Sequence, residues 1–192
     1  MSGYASVRRV GYPAGWWGMA MFVAGEAMLF GAFVATYFYL RFKTLHWPPP
    51  GIAEPKLLVP LVLLGVLLLT SAPVQGAARA AQDGRAAPAR RLILLALLVQ
   101  AAYLAMQVHL YAGDLDRFTP QDNAYGSIYF TLLGAAHAHV ALGLLFDLWL
   151  LVKLAGGLTS YRVNGVRAVA FYWHAVNVIT LLVTLTILSP AI

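Results

Sequence analysis

The sequence predicts an all-α, polytopic membrane protein built as a bundle of five transmembrane helices. The chain of 192 residues is 61% hydrophobic and only 10% charged, and its mean hydropathy is +0.74. It contains five long apolar stretches, and about 20 apolar residues suffice for a helix to cross a hydrocarbon core of roughly 30 Å. These stretches lack the alternation of a strand, and only helices or closed barrels satisfy the backbone in lipid.

The composition also excludes several kinds of site. The chain has no cysteine, so disulfides, thiolate zinc sites, iron–sulfur clusters and cysteine nucleophiles are excluded. The net charge of +6 comes from 13 Lys and Arg against 7 Asp and Glu. Nucleic-acid binding would need these cations on one folded face, and we predict no nucleic-acid partner.

The first span is predicted at residues 16–40, after a short segment at 1–15 that we assign to the cytoplasm. This stretch is much longer than the roughly 7 to 15 apolar residues of a signal peptide, so we interpret it as a retained helix. The sequence WPPPG at 47–51 cannot continue a helix, because proline lacks an amide donor and fixes φ. It therefore separates the first span from the second.

The other four spans are predicted at residues 57–78, 91–112, 124–152 and 168–189. The polar or glycine-rich segments 83–91, 113–123 and 155–165 separate them. Pro73 lies far inside the second span and is expected to kink it and free a carbonyl. The gaps are too short for a soluble domain, so residues 16–192 are predicted to form a single membrane domain.

Lys and Arg are distributed unequally between the two faces of this topology. Nine fall on the face that holds the N-terminus and four on the opposite face. The positive-inside rule therefore places the N-terminus in the cytoplasm and the C-terminus outside. Aromatic residues near the span ends are expected to anchor the helices at the interfaces.

Glu26 is the ionisable residue placed deepest in the first span, about ten residues from its start and so roughly 15 Å into the membrane. Charges at this depth are costly, and each calls for a partner or a purpose. We weigh a neutral acid hydrogen-bonded to a neighbouring helix against a role in proton handling or lipid contact.

Histidines and a further acid also lie inside the spans. His137 and His139 are two residues apart, on nearly opposite helix faces, and cannot chelate one metal from a regular helix. His174, Asn177, Thr180 and Thr184 form a polar stripe that is expected to face protein. Asp147 lies within two turns of Lys153, and we expect the two side chains to meet by snorkelling.

Four motifs, taken in order, resemble subunit III of the haem–copper (cytochrome c) oxidases. They are WGMAMFVAGEAMLF at 17–30, AYGS at 124–127, HVALG at 139–143 and AFYWHAVNV at 170–178. The match spans all five helices and looks like a short form that lacks the first two of seven. The order and spacing of the four motifs make the resemblance more specific than any single motif.

The resemblance implies roles for individual residues. Glu26, His139, Trp173 and His174 would support proton uptake by the catalytic subunit or line a lipid-binding cleft. Lys153 would meet a phospholipid headgroup, while Gln107, Tyr111 and Asn177 would be structural polar residues. The sequence departs from the family pattern at several positions, where charge or aromatic character is lost or moved: Leu110, Ala136, His137, Arg167, Asn177 and Thr180.

The resemblance implies a non-catalytic subunit of a proton-pumping cytochrome c oxidase in a bacterial inner membrane. Such a chain would pack on catalytic subunit I and other oxidase subunits and bind phospholipid, while haem and copper would lie in its partners. A component of a quinol oxidase or nitric oxide reductase is the alternative. From a different class, we also weigh a small transporter or a haem protein that uses His137, His139 and His174.

Overall fold

The computed structural model describes residues 13–191, which form a helical bundle with five spans and, within that range, no strand. Helix α1 spans Ala14–Phe42, α4 spans Ala86–Leu115, α5 spans Ala124–Ala155 and α6 spans Ser160–Leu188. Two shorter helices, α2 (Leu58–Leu69) and α3 (Ser71–Gln82), together make the second span. The prediction of a five-helix membrane protein is confirmed.

The predicted interruption of the second span lies at Thr70, between α2 and α3. Pro73 has no amide hydrogen for the carbonyl four residues earlier, so the helical ladder cannot run through this point. The Thr70 amide instead bonds to the Leu67 carbonyl at 3.0 Å, and its hydroxyl donates to the same oxygen at 2.6 Å. The break therefore precedes the proline by one turn.

Side chains at the start of α5 and of α6 satisfy free backbone groups at the two ends of α5. Asn123 caps α5 by accepting a hydrogen bond from the Gly126 amide at 2.8 Å, which is the usual way to satisfy a free amide at a helix start. At the other end of α5, the Arg162 guanidinium donates to the carbonyls of Gly156 and Gly157. Arg162 lies in the first turn of α6, so its side chain links the start of α6 to the end of α5.

Helix α6 is the centre of the bundle and α1 lies at its edge. Over their most apolar windows, 56% of α6 is buried but only 6% of α1. Helix α6 packs against α1, α2, α3 and α5, whereas α1 buries only Phe30 and Tyr37. The exterior of α1 is therefore open to lipid or to a partner.

The polar stripe predicted on α6 does face protein. Asn177, Thr180 and Thr184 are buried and His174 is half-buried. The cytoplasmic position of the N-terminus stays a prediction, and Arg8 and Arg9, two of the nine cations behind it, lie outside the described residues.

Candidate proton-sharing site and buried polar cluster

Glu26 reaches from the middle of α1 to a histidine on α5. Its Oε2 atom lies 2.8 Å from Nε2 of His139. This is an ion-pair distance, and among the described residues this buried oxygen has no hydrogen-bond partner. The two side chains retain 20% and 15% of their accessible surface, so the pair lies at depth and is not fully sealed.

The second nitrogen of His139 determines how protons are distributed in this pair. Nδ1 lies 2.7 Å from the Ala135 carbonyl oxygen. A carbonyl can only accept, so Nδ1 carries a hydrogen. Nε2 is then the nitrogen that faces Glu26, and at 2.8 Å the two atoms attract only if one of the two groups carries a further hydrogen. The contact thus brings together two groups that can each carry a proton.

Aromatic residues hold His139 in place. Phe30 of α1 lies edge-on to the imidazole, with ring centroids 5.2 Å apart. Tyr172 of α6 donates its hydroxyl hydrogen to the His139 carbonyl at 2.7 Å. Three helices thus fix one side chain, and the proton site has a defined geometry.

A second polar group lies around the break at Thr70, where α3 meets α6. Gln75 lies 3.1 Å from the His174 ring nitrogen Nε2, and Asn177 donates to the Ser71 hydroxyl at 2.7 Å. His174 is thus bonded to α3, and Glu26 pairs with His139 instead. The structure therefore separates His174 from the Glu26–His139 pair.

Asp147 does not meet Lys153, so that prediction was wrong. The Asp147 side chain points into the bundle and is 2% exposed, and its Oδ2 accepts a hydrogen bond from Trp173 Nε1 at 3.1 Å. Lys153 is exposed near the end of α5. The two residues are six positions apart, which turns them to different sides of a helix.

Gln100 of α4 completes the surroundings of Asp147. With its amide nitrogen turned toward acceptors, it donates to Ala96 O and to Asp147 Oδ2, both at 3.0 Å. Its oxygen then accepts from the Thr70 hydroxyl at 3.2 Å, so the single hydroxyl hydrogen lies between this oxygen and the Leu67 carbonyl in a three-centre bond. We name Thr70, Gln100, Asp147 and Trp173 the buried polar cluster. It joins α2, α4, α5 and α6.

A family model described as cytochrome c oxidase subunit III matches residues 11–189. The chain belongs to this family. Relatives that carry the name cytochrome c oxidase subunit 3 include those of Petromyzon marinus, 30% identical over 178 residues, and Papio hamadryas, 29% identical over 178 residues. Both alignments cover 89% of this chain and 67% of the relative. The relative from Locusta migratoria is 27% identical over 179 residues, with the same coverage.

The other residues that the subunit III resemblance singled out lie apart from Glu26. Gln107 donates to the Tyr103 hydroxyl at 3.0 Å, and Tyr111 donates to the Phe130 carbonyl at 3.4 Å. His137 faces Tyr111, with ring centroids 5.7 Å apart. His137, His139 and His174 of this subunit III thus have different neighbours.

Gln100 is not among the site residues predicted from the sequence. One signal was available, since it is a lone amide within the apolar run of α4, and such a residue in lipid needs a protein partner. Its partner could not be deduced, because that depends on how α4 packs against α5. Within residues 13–191, no three His, Asp or Glu side chains come together to hold a metal ion.

Proposed function

We propose that this chain is the non-catalytic subunit III of a proton-pumping cytochrome c oxidase of aerobic respiration in a bacterial inner membrane. It packs on the catalytic subunit, binds phospholipid and supports proton uptake and turnover stability. The observation that carries the proton role is the 2.8 Å contact between Glu26 Oε2 and His139 Nε2. The names of its relatives support cytochrome c as the electron donor.

The proposal assigns haem and copper to partner subunits. A haem iron or a copper site needs free histidine or sulfur ligands in a dedicated pocket. His139 is engaged with Glu26 and Ala135, and His174 with Gln75. These contacts favour a supporting role for the histidines of this chain, which provides no catalytic residue.

The proton role rests on the depth and accessibility of the Glu26–His139 pair. Glu26 is twelve residues from the start of α1, which is about 18 Å along the axis. A carboxyl at this depth needs a partner that can hold or release a proton, and His139 is such a group. Since α1 is thinly covered, a partner subunit packed on this face would lie close to the pair.

The phospholipid role is supported by a groove between α1 and α6. It has a volume of about 340 Å³ and is lined by Val23, Ala27, Phe171, His174, Ala175, Val178 and Ile179. All but one of these side chains are apolar, as an acyl chain requires. Lys153 is exposed at the end of α5 and offers a cation for a phosphate headgroup.

The proton role is tested with Glu26→Gln in the intact oxidase complex. We expect slower proton uptake, or fewer turnovers before inactivation, with unchanged haem spectra, because Gln cannot share a proton with His139. Proton uptake is followed with a pH-indicator dye during a single turnover. Glu54→Gln, which changes an exposed loop acid in the same way, is the matched control. Loss of haem from the Glu26→Gln complex, or uptake equal to the control, would contradict the proposal.

The lipid role is tested by filling the groove with Ala175→Phe. We expect less phospholipid to co-purify with the complex, as measured by mass spectrometry of lipid extracts. Ala105→Phe, on an exposed position of α4, is the control. Equal phospholipid content in the two variants would refute the groove as a lipid site.

A further inference from the structure

Asp147 is a buried acid that the proposed function does not use. It lies in the second half of α5 with 2% of its surface exposed, and its Oδ2 accepts from Trp173 and, in the orientation described above, from Gln100. The ion pairs found among the described residues do not include it. Its partners are therefore neutral donors, and the carboxyl belongs to a hydrogen-bond network.

The spacing of α5 places Asp147 on the same helix face as His139 of the Glu26–His139 pair. His139, Gly143 and Asp147 follow one another at four-residue intervals, so they lie one above the other along the helix. The stripe runs over eight residue steps, or about 12 Å along the helix axis. His139 is at one end, Asp147 at the other, and the gap left by Gly143 is between them.

Two adjacent aromatic residues of α6 hold the two ends of this stripe. Tyr172 donates to the His139 carbonyl at 2.7 Å, and Trp173 donates to Asp147 at 3.1 Å. Between these bonds the indole lies against Gly143, where a Cβ atom would come within 2.5 Å of the ring. The indole cannot slide along α5 without losing its bond to Asp147 or striking the backbone at Gly143.

We propose that Asp147 is a positioning residue that fixes the register of α6 against α5 and thereby places His139 opposite Glu26. This inference rests on the proposed proton role of the pair. Asp147 holds Trp173 in place. The neighbouring Tyr172 donates to the His139 carbonyl, so the position of α6 determines the position of the His139 backbone. Asp147→Leu would leave the Trp173 indole N–H without an acceptor in a dry interior. Helices α5 and α6 would then lose the bond that fixes their register.

The test uses intact oxidase complexes carrying Asp147→Leu, Asp147→Asn or Trp173→Phe. Proton uptake is measured across pH. The proton uptake that is lost in Glu26→Gln is taken as the component due to the Glu26–His139 pair. We expect Asp147→Leu and Trp173→Phe each to lose most of this component, since both break the Asp147–Trp173 bond. Asp147→Asn keeps a carbonyl acceptor for the indole and is expected to retain it. Asp116→Leu, at an exposed acid beyond α4, is the control for loss of a carboxylate.

Three further results keep the inference falsifiable. The double variant Asp147→Leu with Trp173→Phe should lose no more than either single variant, because one bond is broken in all three. A double variant that falls well below both would overturn it, as would either single variant with native haem content and an unchanged Glu26-dependent component. If Asp147→Leu does not assemble, Trp173→Phe and Asp147→Asn decide the question. If Glu26→Gln itself has no effect, the proposed proton role fails, and the inference with it.

Discussion

Gly143 is the position where the packing of α5 on α6 can be tested most directly. A Cβ atom added there would lie 2.5, 2.8 and 2.9 Å from three carbons of the Trp173 ring. Trp173 is fully buried and is held at its nitrogen by Asp147. We therefore expect Gly143→Ala to force the ring and the helices apart.

The size of the effect follows from two opposing contributions. Overpacking a close-packed core costs about 1–3 kcal/mol, while replacing glycine by alanine inside a helix gains up to about 1 kcal/mol. Gly65→Ala is the matched control, because a Cβ at Gly65 meets no atom within 4 Å and only the gain applies. The two alanine variants should thus differ by about 1–3 kcal/mol, or roughly 5- to 150-fold in the unfolding constant.

The measurement is the SDS concentration at which half of this chain is unfolded within the purified complex. Pulse proteolysis reports the unfolded fraction at each SDS concentration. The clash should shrink when Trp173→Phe is added, because phenylalanine lacks the indole atoms that approach Gly143, and a double-mutant cycle measures that coupling. If Gly143→Ala is as stable as Gly65→Ala, the packing argument is refuted.

Three other changes test single contacts by the same unfolding measurement. Thr70→Val should destabilise the chain by about 1–3 kcal/mol, because the buried amide of Gln100 loses a partner, and Thr70→Ser should restore stability. Asn123→Ala should cost about 1 kcal/mol through loss of the α5 cap, whereas Asn123→Asp should not; equal loss in both would exclude capping as the cause. Arg162→Met should loosen the turn after α5 by about 1 kcal/mol, with Gly157 becoming more accessible to protease, and an unchanged cleavage rate would contradict this.

Hydropathy was sufficient to predict the five spans because each helix must be apolar along its whole length to cross lipid. The break of the second span was also accessible, since Pro73 removes a hydrogen bond wherever it lies in a helix. The exact position of the break was not predictable, because the Thr70 hydroxyl and amide both turn back to Leu67.

The pairings across helices could not be predicted in the same way. Glu26 was identified as a residue that needs a partner, but the choice of His139 depends on α1 lying across α5. Asp147 differs, because six residues separate it from Lys153 and this spacing turns the two side chains to different sides of α5. The four-residue interval from Gly143 to Asp147 already placed the acid on the face that approaches α6.

Because α1 is thinly covered, the Glu26–His139 contact helps to hold this helix against the bundle. In hydrocarbon, apolar surface does not drive helices together, so polar links contribute more of their attachment. Helix α1 is joined to α5 at its centre by the Glu26–His139 contact, and to the end of α6 by Arg41, which donates to the Ser189 hydroxyl at 2.6 Å. A substitution at Glu26 would remove the central contact, whereas the C-terminal end of α1 would stay bonded to Ser189. A partner helix packed on α1 would therefore lie on a surface whose position depends on this one polar contact.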